Sequence, residues 1–337
     1  MPSRIDTWLR DPLLGTMHSA IRTAGAIRSV SVDITEVCNL RCDGCYFFSE
    51  GMDQHKSSDS DLDAFIDREL ARGTNFVTIV GGEPSLVLDR LAKLYKAFKL
   101  SVATNGVQRI PHEGFEELPI GVSVWGDRDN DMNLRGGGKL DVFSKALANY
   151  RDDPRAFFYY TVAPGHAHEV ERVVERCVQN GNRVLFNFYG DLEGRGGELD
   201  FRSGFAEVHS AIDAMIDRYP EHILMTSRLA EVISTGTLLG EPWGHATCTS
   251  ISADNPVNAE RIRNGNPYSP HFRAYNADLT STRRCCTAVS RDCDSCFDTW
   301  QHFSWVMLNL RKHRRSQWDF TQWLTTMYLF YFINHLV

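Results

Sequence analysis

The sequence has no apolar stretch long enough to cross a membrane. Its most hydrophobic run, Met327-Tyr-Leu-Phe-Tyr-Phe-Ile333, spans seven residues and is followed by Asn334 and His335, whereas a spanning helix needs about twenty apolar residues. Region 318–337 therefore reads as a helix or strand that covers a core or a partner subunit. The start, Met1-Pro-Ser-Arg-Ile-Asp-Thr-Trp8, lacks the apolar centre of a secretory signal. Basic residues are not in surplus: 36 Lys and Arg stand against 43 Asp and Glu, a net charge of −7, so there is no electrostatic footprint for nucleic acid. Repeats and low-complexity tracts are absent as well. These absences point to a cytoplasmic protein whose 337 residues suffice for one barrel-sized domain with an appendage.

Cysteine is what the chain does have. Nine cysteines without a secretory signal favour reduced thiols and metal ligands over disulfides. Three of them crowd into Asp33-Ile-Thr-Glu-Val-Cys38-Asn-Leu-Arg-Cys42-Asp-Gly-Cys45-Tyr46, a spacing that a tight loop can wrap around the corners of one iron–sulfur cube. Such cubes normally take four cysteines. A loop of three leaves one iron open to a second ligand, and hence to chemistry. A zinc site completed by Asp43 or a distant cysteine is the competing reading.

From residue 28 onward, short β-branched runs alternate with helical patterns, the order that yields a parallel sheet. Strands are expected at 30–34, 76–80, 100–103, 121–124, 157–162 and 183–188, and helices at 58–72, 85–98 and 166–180. The fold class is thus α/β, a partial (β/α)6 barrel of TIM type followed by a small cysteine-rich α+β extension. The expected divisions are an N-terminal segment at 1–28, the barrel at 29–235, the cysteine-rich region at 236–310 and an apolar cap at 311–337. Cys177 falls on the core side of its helix and is expected to pack as a small apolar residue. Gly81-Gly82-Glu83-Pro84 directly follows the second strand. Two glycines at a strand end offer bare backbone to a ligand, or simply the φ freedom of a strand-to-helix turn opened by Pro84. In parallel β/α folds the reactive groups gather at the C-terminal strand ends, where the cysteine loop and this segment both lie.

Loop and strand end together resemble the signature of the radical SAM superfamily, over roughly residues 29–191. The resemblance implies a four-iron (4Fe-4S) cluster on Cys38, Cys42 and Cys45, with S-adenosylmethionine chelating the open iron through its amino and carboxylate groups. It implies that Gly81, Gly82, Glu83 and Pro84 receive the methionine amino group and that Tyr46 faces the adenine. It also makes Thr104, Asn105, Ser123 and Asp127 candidate contacts to ribose or methionine, although turn formation accounts equally for Asn105 and Asp127. Asn187 and Tyr189 face the same mouth.

The second cysteine group holds Cys248, Cys285, Cys286, Cys293 and Cys296. Adjacent residues of an extended chain point to opposite faces, so one of Cys285 or Cys286 joins the other three in a four-thiolate site. This region resembles the SPASM or twitch extensions of radical SAM barrels, with fewer cysteines than the full SPASM pattern. It therefore implies one auxiliary 4Fe-4S cluster, and a zinc knuckle fits the same ligands. The leftover thiol, Cys286, is either inert or a hydrogen-atom donor to a substrate radical, as in some radical SAM epimerases.

The activity so implied is reductive cleavage of S-adenosylmethionine to a 5′-deoxyadenosyl radical, which abstracts hydrogen from an unactivated C–H bond and leads to oxidation, rearrangement or epimerisation. A flavodoxin- or ferredoxin-type reductant would supply the electron. Only about thirty residues precede the first strand, too few for a leader-binding module, so a small-molecule substrate is expected. A ribosomal peptide is the alternative, and a non-catalytic Fe–S or zinc protein a further one.

Overall fold

The computed structural model describes residues 4–190, 201–266, 268–288, 293 and 296–337. Six strands, β1 (Ser29–Asp33), β2 (Phe76–Val80), β3 (Lys99–Thr104), β4 (Ile120–Val124), β5 (Ala156–Val162) and β6 (Arg183–Phe188), pair in chain order and all in parallel. They are buried on both faces, with Val32, Ile79, Val122, Phe158, Val184 and Phe186 all but excluded from water, as expected of strands covered by crossover helices. The helix Asp59–Arg72 opens with a capping box between Ser58 and Asp61 and closes on Gly73 at φ 78°, so its ends are specified locally. The helix Val170–Gln179 buries Val170, Val173, Val174 and Cys177, one stripe at helical spacing, and Cys177 is a core residue.

β1 and β6 do not pair, so the barrel is open. After β6 come the helices Phe201–Arg218 and Ser227–Thr235 and a small hairpin of β7 (Thr237–Leu238) and β8 (Glu241–Pro242). The second of these helices begins at Ser227, after His222–Leu224 has paired with β6. Val184 donates its N–H to the His222 carbonyl and accepts from Leu224 N, and this extended pairing against β6 takes precedence over the helical pattern. The expected helix at 85–98 likewise splits into a 3-10 turn, Pro84–Leu86, and the helix Leu88–Ala97. The glycine-rich stretch 190–198, which the sequence pattern gives as a mobile loop without regular structure, lies outside the described residues from 191 on.

The chain then returns to the other edge of the barrel. β9 (Ala274–Tyr275) runs parallel to β1 and β10 (Thr282–Arg283) antiparallel to β9, extending the sheet to eight strands. From β10 it crosses back to β6, where Thr299 donates its hydroxyl to the Phe186 carbonyl at 2.9 Å and its N–H to Asn187 Oδ1 at 2.9 Å. Arg283 and Thr299, which flank four of the cysteines in sequence, thus sit at the barrel's two opposite edges. Region 318–337 forms the helix Gln317–Ile333, which buries Phe320, Trp323, Leu324, Tyr331 and Ile333. It packs on the N-terminal helix Pro12–Ala24, and the Tyr331 hydroxyl donates to the Gly25 carbonyl at 2.8 Å. Among the described residues no helix is long and apolar enough to cross a membrane.

Candidate metal and cofactor site

The cysteine loop leaves β1 and lies across the end of β2. Gly82 donates its N–H to the Thr35 carbonyl at 2.9 Å and Glu83 to that of Val37 at 2.8 Å. A Cβ on Gly82 would collide with the Val37 carbonyl oxygen, and one on Gly81, at φ 113°, would stand 2.9 Å from that of Thr35. The bare backbone of the double glycine is thus occupied first by the loop itself. Glu83, buried to 1% exposure, turns its carboxylate inward: Oε1 accepts from Ser85 N at 2.9 Å and Thr104 Oγ1 at 2.6 Å, and Oε2 from Asn105 N at 2.7 Å. It braces β2 to β3, and one lone-pair position on Oε2 remains for a further donor. Pro84, also buried, starts the 3-10 turn behind it.

Each sulfur of the loop faces N–H donors. Leu40 N reaches Cys38 Sγ at 3.4 Å, with the Asn105 amide at 3.9 Å. Phe47 and Phe48 donate backbone N–H groups to Cys45, and Arg135 donates to Cys42. Burial pushes all three thiols above the ordinary range, and the sulfurs raise one another further, Cys42 acting on Cys38, Cys45 on Cys42 and Cys38 on Cys45. Three thiols that converge, suffer as neutral neighbours and are ringed by donors match what cluster-bound thiolates require. Among the described residues no three of His, Cys, Asp and Glu are gathered as a single metal ion would demand, so the fit to a cluster rests on these donors.

Arg135 carries no sequence signal beyond standing next to Gly136, Gly137 and Gly138. It lies 3% exposed after the helix Arg128–Leu134, and donates to the Ser123 carbonyl at 2.6 Å, to Asp131 Oδ2 at 3.0 Å and to the Asn105 carbonyl at 3.3 Å. Ser123 thus enters the site through its carbonyl. Asn105 holds Asn39 at 2.7 Å as well as approaching Cys38. Asp127 is turned away from the mouth: it caps the same helix through Asp129 N and Asn130 N and accepts from Arg172 at 2.6 Å, the turn role its position already allowed.

Across the mouth, Tyr189 lies against Gly44, its hydroxyl 3.2 Å from where a Cβ would stand. The Tyr46 phenol is pushed up by burial, then by the neighbouring Cys286, Asp33 and Cys45, so its hydroxyl points to the crossing segment. There Gln301 Nε2 donates to Cys286 Sγ at 2.6 Å, and Tyr159 of β5 donates to Asp298 Oδ2 at 3.5 Å. Burial pushes the Asp298 carboxyl up to about 6 and the Cys286 thiol well above the usual range. Cys286 acts on Tyr46 and Tyr159 and itself feels Cys285 and Cys296, while Cys285 also acts on Cys248.

Cys248, Cys285, Cys293 and Cys296 form the second group, Cys248 sharing its thiol hydrogen bond with Cys293 and feeling Cys285 and Cys296. The bond from Cys248, with Arg284 at 3.1 Å and His245 at 3.8 Å, pulls Cys293 below the ordinary thiol range. Burial pushes Cys296 up. His245 and Arg284 were invisible in the spacing because they come from separate segments. The two cysteine groups are tied together by Arg283, whose guanidinium forks onto Asp33 at 2.7 and 2.9 Å, both side chains 1% exposed, and reaches the Cys286 carbonyl at 3.2 Å.

No family model matches the chain. Among curated proteins it is similar to the sporulation killing factor maturation protein SkfB of Bacillus subtilis (strain 168), 22% identical over 191 residues, which is 50% of this chain and 45% of that protein. The chain thus spans about half the length of the curated relative it matches. Among solved structures it resembles native anSMEcpe with bound AdoMet and Cp18Cys peptide, at TM-score 0.54 and 17% identity over 87% of this chain and 83% of that one. Native anSMEcpe with bound AdoMet gives TM-score 0.53 and 18% identity over 90% and 96%. At this identity the solved structures speak for the fold, and they agree with the partial β/α barrel expected from the sequence.

Proposed function

We propose that this radical SAM barrel is an enzyme that modifies a peptide. The carrying observation is the ring of N–H donors around Cys38, Cys42 and Cys45 at the C-terminal mouth of the barrel. When bound there, a reduced 4Fe-4S cluster and S-adenosylmethionine supply a 5′-deoxyadenosyl radical for hydrogen abstraction from an unactivated carbon. The chain's own residues do the rest. The double glycine and Glu83 seat the loop, and Arg283 ties Asp33, at the start of that loop, to the Cys286 backbone. The second cysteine group, with Arg284 and His245 beside it, is read as the auxiliary 4Fe-4S site. The electron would come from a flavodoxin- or ferredoxin-type reductant.

A peptide is favoured over the small molecule expected from the sequence because one relative is named for maturing a killing factor and one solved neighbour holds a peptide. Protein reconstituted without air, given dithionite and S-adenosylmethionine, should release 5′-deoxyadenosine, and a short peptide encoded beside the gene should change in mass. No 5′-deoxyadenosine from cluster-loaded protein would end the enzymatic reading. An unchanged peptide alongside a converted small molecule would restore the earlier substrate class.

Cys286 extends the proposal. Its part-buried thiol, which accepts from Gln301 at 2.6 Å and acts on the phenols of Tyr46 and Tyr159, would break its S–H bond to form the product C–H bond. The resulting thiyl would take one electron from the reductant and one proton. Deuterium from solvent should then enter the product and vanish in Cys286→Ala.

A further inference from the structure

Of the three loop sulfurs, two take hydrogen bonds from neutral donors, backbone N–H groups and for Cys38 also the Asn105 amide, and the Arg135 charge reaches Cys45 without a hydrogen bond. Cys42 receives a guanidinium. That guanidinium has no freedom to leave, because the Ser123 and Asn105 carbonyls and Asp131 hold it in a site 3% exposed. The loop is tied to the same helix end, since Asp43, the residue after Cys42, donates its N–H to the Leu134 carbonyl at 2.7 Å. Asp131 is itself 0% exposed. Its Oδ2 accepts from Arg135 and from Trp125 N at 2.8 Å, while Oδ1 is buried without a hydrogen-bond partner. The pair thus places a fixed positive charge against one corner of the site and a fixed negative charge one step behind it, where the low dielectric leaves both poorly screened.

We infer that Arg135 and Asp131 are an opposed pair of positioning residues that sets the reduction potential of the cluster held by Cys38, Cys42 and Cys45, Arg135 raising it and Asp131 lowering it. Adding an electron makes a cluster more negative, so a charged N–H donor at a cysteine sulfur favours the reduced form, and a nearby carboxylate disfavours it. This rests on the cluster assignment proposed above.

The test is an EPR-monitored redox titration of anaerobically reconstituted full-length protein, following the signal that changes on adding S-adenosylmethionine. Arg135→Gln should make the cluster harder to reduce and Asp131→Asn easier, each by about tenfold in the reduction equilibrium, which is 59 mV for one electron. Asp131→Asn keeps the shape of the side chain and an oxygen for Arg135 and Trp125, so it serves even where Arg135→Gln fails to load. Unmoved midpoints, or two shifts of the same sign, would overturn the inference, as would variants that fold but hold no cluster, since the pair would then be a brace. Wild-type protein that binds no cluster at all would instead sink the functional proposal.

Discussion

The amino-terminal cysteines occupy one loop, positions 38 to 45, whereas the second group is drawn from positions 248, 285, 293 and 296. The first is held largely by backbone N–H groups of its own loop, with one distant cation. The second depends on side chains from separate segments, Arg284 and His245, and its Cys248 and Cys293 belong to the hydrophobic core. A site built from one loop can lose a ligand and leave the fold intact. One whose ligands sit in the core cannot, so chemistry and stability should separate at the first site and move together at the second.

The sharpest way to break that contrast is Cys42→Ala. It should reduce 5′-deoxyadenosine release to background while unfolding free energy changes by no more than about 1 kcal/mol, whereas Cys248→Ala should lower stability measurably in the same urea titration. Equal losses in both would erase the distinction. The next largest effect concerns the link between the sites. Arg283→Met leaves the buried Asp33 carboxylate without its partner and should cost about 3–5 kcal/mol, read as a shift of the urea midpoint.

Gly82→Ala tests the seat of the first loop. The added methyl meets the Val37 carbonyl, so a loss of about 1–3 kcal/mol is expected, with reduced iron at the first site and normal metal at the second. The smallest effect is one of pH. Burial pushes the Asp33 carboxyl up from 3.8 to about 6 despite the Arg283 beside it. A carboxyl raised on folding binds more protons in the native state between those values, so its contribution to stability falls as pH rises from 3.8 to about 6 and is level above. Wild type should lose stability relative to Asp33→Asn across that window in thermal or urea melts at successive pH values. A relative gain would show that the ion pair, not burial, governs the group.

Much of the barrel was legible because its signals are local. The strands at 76–80 and 183–188 match β2 and β6 residue for residue, and the Ser58 cap lies where the pattern placed it. β9 and β10 were not, because two residues each carry no period to read. Arg135 escaped notice in a glycine-rich stretch, and Glu83 reads as a ligand group in sequence although most of its acceptor capacity goes to Ser85, Thr104 and Asn105.

By itself the sequence determined the parallel β/α order, the loop of three thiols and the double glycine behind it, since strand period, ligand spacing and φ freedom are properties of neighbouring residues. Only the tertiary structure decided that Arg283 and Thr299 sit at opposite edges of the open barrel, that Cys286 comes near Tyr46 and Tyr159, and that Arg135 and Asp131 stand behind Cys42. Those are long-range placements, and a burial or a charge contact between residues far apart in the chain has no energy until folding brings them together and removes the water between them.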